Sequence, residues 1–361
     1  MVGILCGKNA GNEYDRMYKM NSKQRVRTVL EGNTPDRIPI CLINFICVCR
    51  EAGFSIKECF LDPSKFAHAH EKAHKKYGHD MIHLQNGVVG IAQSFGCRVE
   101  YYDTVCPEVV ERPFTSYREF LEAYNGFTPG ELLLTLVETT KILSEKLGED
   151  VYIRADSEIG PFGVAGTLFG LEKFLMDLLN PDKQSEIKEV LQVCSEAIIE
   201  LGKAQRDAGA DMTGVGDPFA GPDVISPKMY ENLCFPYHKY LFDELRKAKI
   251  ECYLHCCGDS TPIIESLVRT GVCALELDYK IDAKKCREAT LGKCTLIGNI
   301  DPSGVMCRGT PRLVMEKARE AIEIFGGQGW YILGPGCDLP YETPEENISA
   351  LVEAAHKYGT Y

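Results

Sequence analysis

Nowhere in these 361 residues does an apolar run reach the roughly 18 residues a helix needs to cross a bilayer, which excludes a helical membrane span. Blocks of Lys and Arg are equally missing. The formal net charge is -12, so a basic track for nucleic acid has nothing to start from. No Gly-x-Gly-x-x-Gly follows a strand-like segment and no Gly-x-x-x-x-Gly-Lys-Ser/Thr loop occurs, so neither a dinucleotide fold nor a P-loop gains support. The opening stretch MVGILCGKNAGNEYDRMYKMNSKQR lacks a basic n-region and an apolar h-region. Export is therefore not expected, and the predicted location is cytoplasmic.

Cysteine, by contrast, is plentiful, at 17 residues. A small secreted protein would use so many as a disulfide framework, but a long chain without a signal segment reads as the product of a reducing compartment. Most of the thiols are expected to pack as small hydrophobes, leaving a few for metal chemistry. Hydrophobic residues at 45% and charged residues at 25% give the balance of a soluble globular protein.

Residues 1–21 read as a polar tail and 22–361 as one domain. Ser22 is placed to cap a helix that ends at Gly32, a strand follows at 38–45, a helix at 63–77 and a strand from Asp80. Residues 97–114 alternate as a hairpin outside the main repeat. Strands are then predicted at 151–156, 211–217, 251–257, 273–277, 294–300 and 330–333. Between them the pattern predicts helices at 131–147, 163–179, 181–209, 227–249, 261–270, 283–289 and 311–325. Thr343-Pro-Glu-Glu reads as a capping box opening a last helix, with proline at its first position. Alternating strands and helices imply parallel pairing through right-handed crossovers. About eight such units predict an α/β fold: a single (β/α)8 TIM barrel with an N-terminal helical extension and a small hairpin insertion.

In YLHCCGDS, residues 253–260, positions two apart share one face of a strand. His255 and Cys257 therefore point one way and Cys256 the other. Barrel enzymes gather their chemistry at the C-terminal ends of the strands. Cys337 follows the last strand in YILGPGC, where the glycines of Gly334-Pro-Gly are expected to let the backbone bend inward. One imidazole and two thiolates suit Zn2+ in tetrahedral geometry, with the fourth position open as in a catalytic site. Two thiolates cancel the ion's charge and make it a poor activator of water, yet a thiol bound there is still deprotonated. Such a site serves thiolate alkylation better than hydrolysis.

The segments VLEGNTPDRIPI, GPFGVAGTLFGLEKFL, GDPFAGPDVISPKMYENLCFPYHK, LHCCGDS, IGNIDP and GPGCDLPYETPEENISALVEA together resemble the uroporphyrinogen decarboxylase superfamily, from about residue 22 to the end. The branch they resemble most is that of the zinc methyltransferases of the methylcobamide:coenzyme M type. The resemblance implies that the H-x-C…C zinc motif of that branch falls on His255, Cys257 and Cys337. It also implies methyl transfer between the cobalt of a corrinoid and a small substrate. That substrate is a thiol such as coenzyme M in one direction, or a methoxylated or methylamine compound in the other. Corrinoid-binding domains carry Asp-x-His-x-x-Gly, which this chain lacks. The cobamide is therefore expected on a separate corrinoid protein that docks over the barrel mouth. The decarboxylases themselves resemble an Arg-Gln-Ala-Gly-Arg pattern, where this chain has Arg50-Glu51-Ala52-Gly53-Phe54. One arginine is lost and a carboxylate gained, which disfavours an anionic tetrapyrrole. A decarboxylase-like enzyme and a non-catalytic zinc or corrinoid-protein docking module are the alternatives.

Further polar residues fall at expected strand ends. Asp217 and Asp259 are the candidate catalytic residues, Asp217 as a labile fourth zinc ligand or a group that holds the substrate and Asp259 as a partner orienting His255; either also suits an N-cap. Arg50, Asp156, Asn299 and Asp301 are candidate substrate-binding groups, and Glu158 is a rim acid of open role. His70-Glu71-Lys72-Ala73-His74 has the spacing of the metalloprotease helix, but Lys72, Lys75 and Lys76 would repel a dication. A solvated amphipathic helix is the expectation there.

Overall fold

The computed structural model describes residues 20–361, so the tail expected at 1–21 lies almost wholly outside the described residues. Strand β1 spans Met81–Leu84, while β2 (Arg98–Glu100) and β3 (Glu108–Glu111) form a separate antiparallel pair, the expected hairpin. The remaining strands are β4 (Tyr152–Ile159), β5 (Met212–Gly216), β6 (Glu251–Cys256), β7 (Ala274–Leu277), β8 (Thr295–Ile300) and β9 (Tyr331–Pro335). Seven strands pair in the order β1-β4-β5-β6-β7-β8-β9, every pair parallel. Segment 38–43 takes the eighth place: Ile40 bridges Leu333 of β9 and Cys41 bridges Met81 of β1, both in parallel. The backbone N–H of Cys41 donates to the Leu333 carbonyl and that of Met81 to the Ile40 carbonyl, which closes the sheet into a barrel.

Covering helices explain why the strands are so deeply buried. All eight residues of β4 are buried, as a parallel strand with side chains on one face and helices on the other requires. At the floor, the fully buried Asp80 receives Arg25 and Arg37, each at 2.6 Å, and the backbone N–H of Ile40 at 2.9 Å. This ties the helix Ser22–Leu30 to the closing segment.

Several boundaries differ from the sequence reading, each for a local reason. Asn21 rather than Ser22 caps the first helix, in a capping box with Gln24. Gly170, at φ +84, splits the stretch expected at 163–179 into Pro161–Phe169 and Leu171–Asp177. The helix expected at 227–249 contains a π turn at Tyr230–Cys234, just before Phe235–Lys247, whose first turn holds a proline without an N–H to give. No capping box forms at the last helix, Glu345–Tyr358. Pro344 is the N-cap, and the Thr343 hydroxyl donates to the Pro340 carbonyl instead. Each described cysteine is a free thiol, and among the described residues no helix is long and apolar enough to cross a membrane.

Candidate metal centre and its pocket

Along β6, Tyr253 and His255 face the barrel interior, and Cys257 continues that face one residue beyond the strand. Cys256 turns the other way, where burial pushes its thiol well above the ordinary value. Cys337 arrives from the far side, two residues past β9. Neither Gly334 nor Gly336 needs a left-handed conformation to bring it there. A Cβ at Gly334 would collide with the Cys41 carbonyl, and one at Gly336 would press on Tyr279 N and the Leu277 carbonyl. The glycines thus serve close approach rather than the bend that the sequence suggested.

One potential ligand atom each from His255, Cys257 and Cys337 lies within 4.8 Å of the others, the sole such cluster of three His, Cys, Asp or Glu side chains able to hold a metal ion among the described residues. His255 Nε2 is 3.1 Å from Cys257 Sγ. On the other side of the ring, Nδ1 donates to the Glu276 main-chain carbonyl at 3.1 Å, with Glu276 Oε1 at 3.4 Å. The register of β6 on β7, which sets His255 opposite Glu276, delivers this contact. A carbonyl can only accept, so Nδ1 carries a proton, and Nε2, whose own proton a bound ion would displace, faces the sulfurs. Burial disfavours charge on His255, yet Cys337 and Glu276 outweigh it and push the imidazole up to about 9. Cys257 and burial in turn push the Cys337 thiol well up. Two sulfurs and an imidazole brought this close form a donor set suited to a divalent ion such as zinc.

Behind the ligands lies a cavity of about 240 Å³. Its wall is a polar network set into apolar strands. Arg154, buried, pairs with Glu276, and its guanidinium lies 3.5 Å from the Tyr253 ring centroid. Asp156 Oδ1 accepts from His83 Nε2 at 2.6 Å and from the Tyr253 hydroxyl. Two residues at positive φ border this region, Ile43 at +44 and Glu158 at +78. For a β-branched residue such as Ile43, that conformation is strained and is held by its surroundings. Between Asp156 and Ile159 the pairing of β4 shifts, so Ile159 faces the cavity while the Glu158 carboxylate accepts from the N–H groups of Gly90 and Ile91. Burial pushes Glu158 up to about 7.

Of the six candidate polar residues, only Asp156 lines this cavity. Gly216 pairs with His255 and faces inward, so the next residue, Asp217, faces outward. Its carboxylate accepts from Gly163 N at 2.9 Å, Phe162 N at 3.3 Å and His238 Nε2 at 3.0 Å, capping the helix Pro161–Phe169. Asp259 accepts from Thr261 N at 3.0 Å and holds a turn, and Glu276 occupies the place beside His255 expected for it. Asn299 and Asp301 line a separate cleft of about 340 Å³ against the helix Pro311–Phe325, and Asp301 accepts from Ser303 N and Gly304 N. Arg50 donates to the carbonyls of Tyr341 and Thr343, so it anchors the segment that follows Cys337. In the HExxH segment, His70 is buried against Phe66, and burial pushes it down to about 3. His74 Nδ1 donates to the His79 carbonyl. Part of that helix is therefore core rather than solvated face.

Sequence reasoning missed His83, Arg154, Tyr253, Glu276 and Asp338 as pocket residues. The available signal was spacing: Tyr253 stands two before His255 and Arg154 two before Asp156, so each shares a strand face with a residue already singled out.

A methylcobamide:CoM methyltransferase of Methanosarcina acetivorans is 28% identical over 346 residues, covering 95% of this chain and 99% of its own length. A uroporphyrinogen decarboxylase of Carboxydothermus hydrogenoformans is 24% identical over 260 residues and covers 69% of this chain and 70% of its own. The solved structure of a methyltransferase from Methanosarcina mazei superposes with a TM-score of 0.83 at 26% identity, covering 94% of this chain and 99% of its own. The two of these that match over 99% of their own length are thus enzymes of methyl transfer. Residues 21–358 match the family model described as uroporphyrinogen decarboxylase (URO-D), and the chain belongs to that family.

Proposed function

We propose that this chain is a zinc-dependent methyltransferase moving a methyl group between the cobalt of a corrinoid, carried by a separate protein, and a small substrate in the barrel pocket. The observation that carries the reading is the convergence of His255, Cys257 and Cys337 at the C-terminal rim of a closed barrel. Full-length likeness to methylcobamide:CoM methyltransferases supports it. The catalytic domain is residues 22–361, and the free thiols suit a reducing cytoplasm.

His255, Cys257 and Cys337 would hold the ion, which supplies a lowered pKa to a substrate thiol bound beside it. The chain's own residues do the remaining work. The Glu276 carbonyl keeps the His255 proton on Nδ1. Asp156 and Arg154 fix Tyr253 in the pocket wall, while Phe45 and Ile159 line it with apolar surface that displaces water. In the thiol direction the corrinoid would supply the methyl group to the substrate sulfur and keep the electron pair of the bond given up, and the thiol proton would pass to solvent. The pocket disfavours the decarboxylase reading: at about 240 Å³ it is small, and Arg154, the arginine that lines it, is already paired.

Purified protein is expected to carry about one zinc per chain. It should change the visible spectrum of methylcobalamin in the presence of an acceptor, or of reduced corrinoid in the presence of a methyl donor. Cys337→Ser should lose turnover along with zinc; a variant that keeps both overturns the reading. A wild-type protein that binds zinc but never alters a corrinoid spectrum is a docking module instead.

A further inference from the structure

Resting on that reading of the site, we propose that His83, held by Asp156, is the base that takes the proton of a substrate thiol in the pocket, and the acid that supplies one when transfer runs the other way. Among the described residues, three buried side-chain atoms of the pocket wall make no hydrogen bond: His83 Nδ1, Arg154 Nε and Asp338 Oδ1. Such orphans are rare in folded proteins, and a bound molecule can complete them. The guanidinium is a donor that keeps its proton at any ordinary pH. Asp338 adjoins Cys337, so an ion held there would govern its charge. His83 Nδ1 is left as the atom that can accept a proton and give it back.

The rest of the ring is held in place. Its Nε2 lies 2.6 Å from Asp156 Oδ1, both side chains are 3% exposed, and the same oxygen accepts from the Tyr253 hydroxyl. A carboxylate offers only lone pairs, so Nε2 carries a proton and the neutral ring presents its lone pair at Nδ1. The rings of Phe45 and Tyr253 stand edge-on to it, with centroids 5.9 and 6.2 Å away. An imidazolium formed here would face Asp156 directly, which favours the charged ring. The other charged or titratable groups around it are Arg154, its register partner on β4, Tyr253 on β6, Glu276 on β7 and His70 on the helix Pro63–Tyr77. Burial keeps His70 neutral, so it adds no charge behind the ring. A base within hydrogen-bond reach of its orienting carboxylate, in the same cavity as the three ligands, is the arrangement that general acid–base catalysis requires.

The step balances in both directions. As a thiol binds, its S–H bond breaks, the sulfur keeps the electron pair and the proton moves to Nδ1, from which it reaches solvent later. In reverse, a methoxyl oxygen or amine nitrogen gives its methyl group to the reduced corrinoid, keeps the electron pair of that bond and takes the proton from Nδ1. A corrinoid protein seated over the barrel mouth would close the direct way to water. A base inside the pocket lets the proton leave the sulfur while that cover is in place.

The test counts protons rather than turnovers. The probe is 2-mercaptoethanol, an alkyl thiol that is protonated in neutral water. Its binding to the zinc-loaded protein is followed by titration calorimetry from about pH 6 to 8, in buffers of different ionisation enthalpy, which gives the protons released per thiol bound. Wild type is expected to release about half a proton or less near the acid end, with an affinity that changes little with pH there. His83→Gln keeps an N–H for Asp156 but has no base. It is expected to release about one proton throughout, with an affinity that rises about tenfold per pH unit. A merely structural role would change the affinity and leave the proton count alone. Equal counts in wild type and variant overturn the proposal and leave the metal site standing, as does a whole proton released by wild type at every pH. Should His83→Gln fail to fold, Asp156→Asn is read in its place: it no longer favours the imidazolium, and its count is expected to move toward one. Zinc-loaded wild type that binds no thiol also overturns the proposal. Protein that takes up no zinc sinks the metal reading itself, and the proposal with it.

Discussion

Glu158 offers a quantitative check on the structure at the pocket rim. Its carboxyl, ordinarily at 4.5, is pushed up to about 7 by burial, which outweighs the two N–H groups it accepts from Gly90 and Ile91. Between those two values the folded chain keeps a proton that the unfolded chain has released. Stability contributed by this group is therefore full below about pH 4.5, falls as pH rises, and is lost above about pH 7. At about 1.4 kcal/mol per unit, the whole window is worth about 3–4 kcal/mol, of which about 2–3 kcal/mol falls between pH 5 and pH 8. Glu158→Gln keeps the side-chain length and an oxygen for one N–H, but has no charge to bury. Urea unfolding of both proteins at a series of pH values from about 5 to 8 should show the wild type losing about 2–3 kcal/mol relative to the variant. Stability profiles that run parallel across that range would refute the burial argument. The result also bears on function, because Glu158 holds the start of the helix Gly90–Ser94, just after Gln85 and Val88 on the pocket rim.

Other perturbations separate support from chemistry. Glu276→Gln retains the main-chain carbonyl that accepts His255 Nδ1, so metal affinity by chelator competition should stay within about tenfold of wild type. Stability should nevertheless drop by about 3–5 kcal/mol as buried Arg154 loses its counter-charge. Asp80→Asn leaves Arg25 and Arg37 facing a neutral amide at the barrel floor, with a cost of about 3–5 kcal/mol in urea unfolding and no change in metal content. Asp217→Ala removes the cap of Pro161–Phe169 and the partner of His238, and should cost about 1–3 kcal/mol. Zinc content should be unchanged, and loss of zinc in that variant would restore Asp217 to the ligand role expected from sequence.

The contrast between Cys257 and Asp217 shows which part of the site was legible in the chain. Alternation along a strand says which residues share a face, and this is local information. His255 and Cys257 could therefore be grouped, and barrel closure brought Cys337 to the same rim. Alternation does not say which face is inside. On β6 the ligands themselves settle that, but β5 reads Met-Thr-Gly-Val-Gly, with its first four residues buried whichever way they point. Only the pairing of Gly216 with His255 shows that Asp217 lies outside. Glu158 is a harder case, because the shifted pairing after Asp156 breaks alternation within one strand, and no period in the sequence marks it. The same limit hid the wall of the pocket. His83 beside Arg154 and His255 beside Glu276 are neighbours through register, across about seventy residues in one case and about twenty in the other. Register between parallel strands is fixed by how the intervening helices pack. The pairing of His255 with Cys257 on one face is thus legible within a single strand, whereas Cys337 and the polar wall around them join it only in the closed barrel.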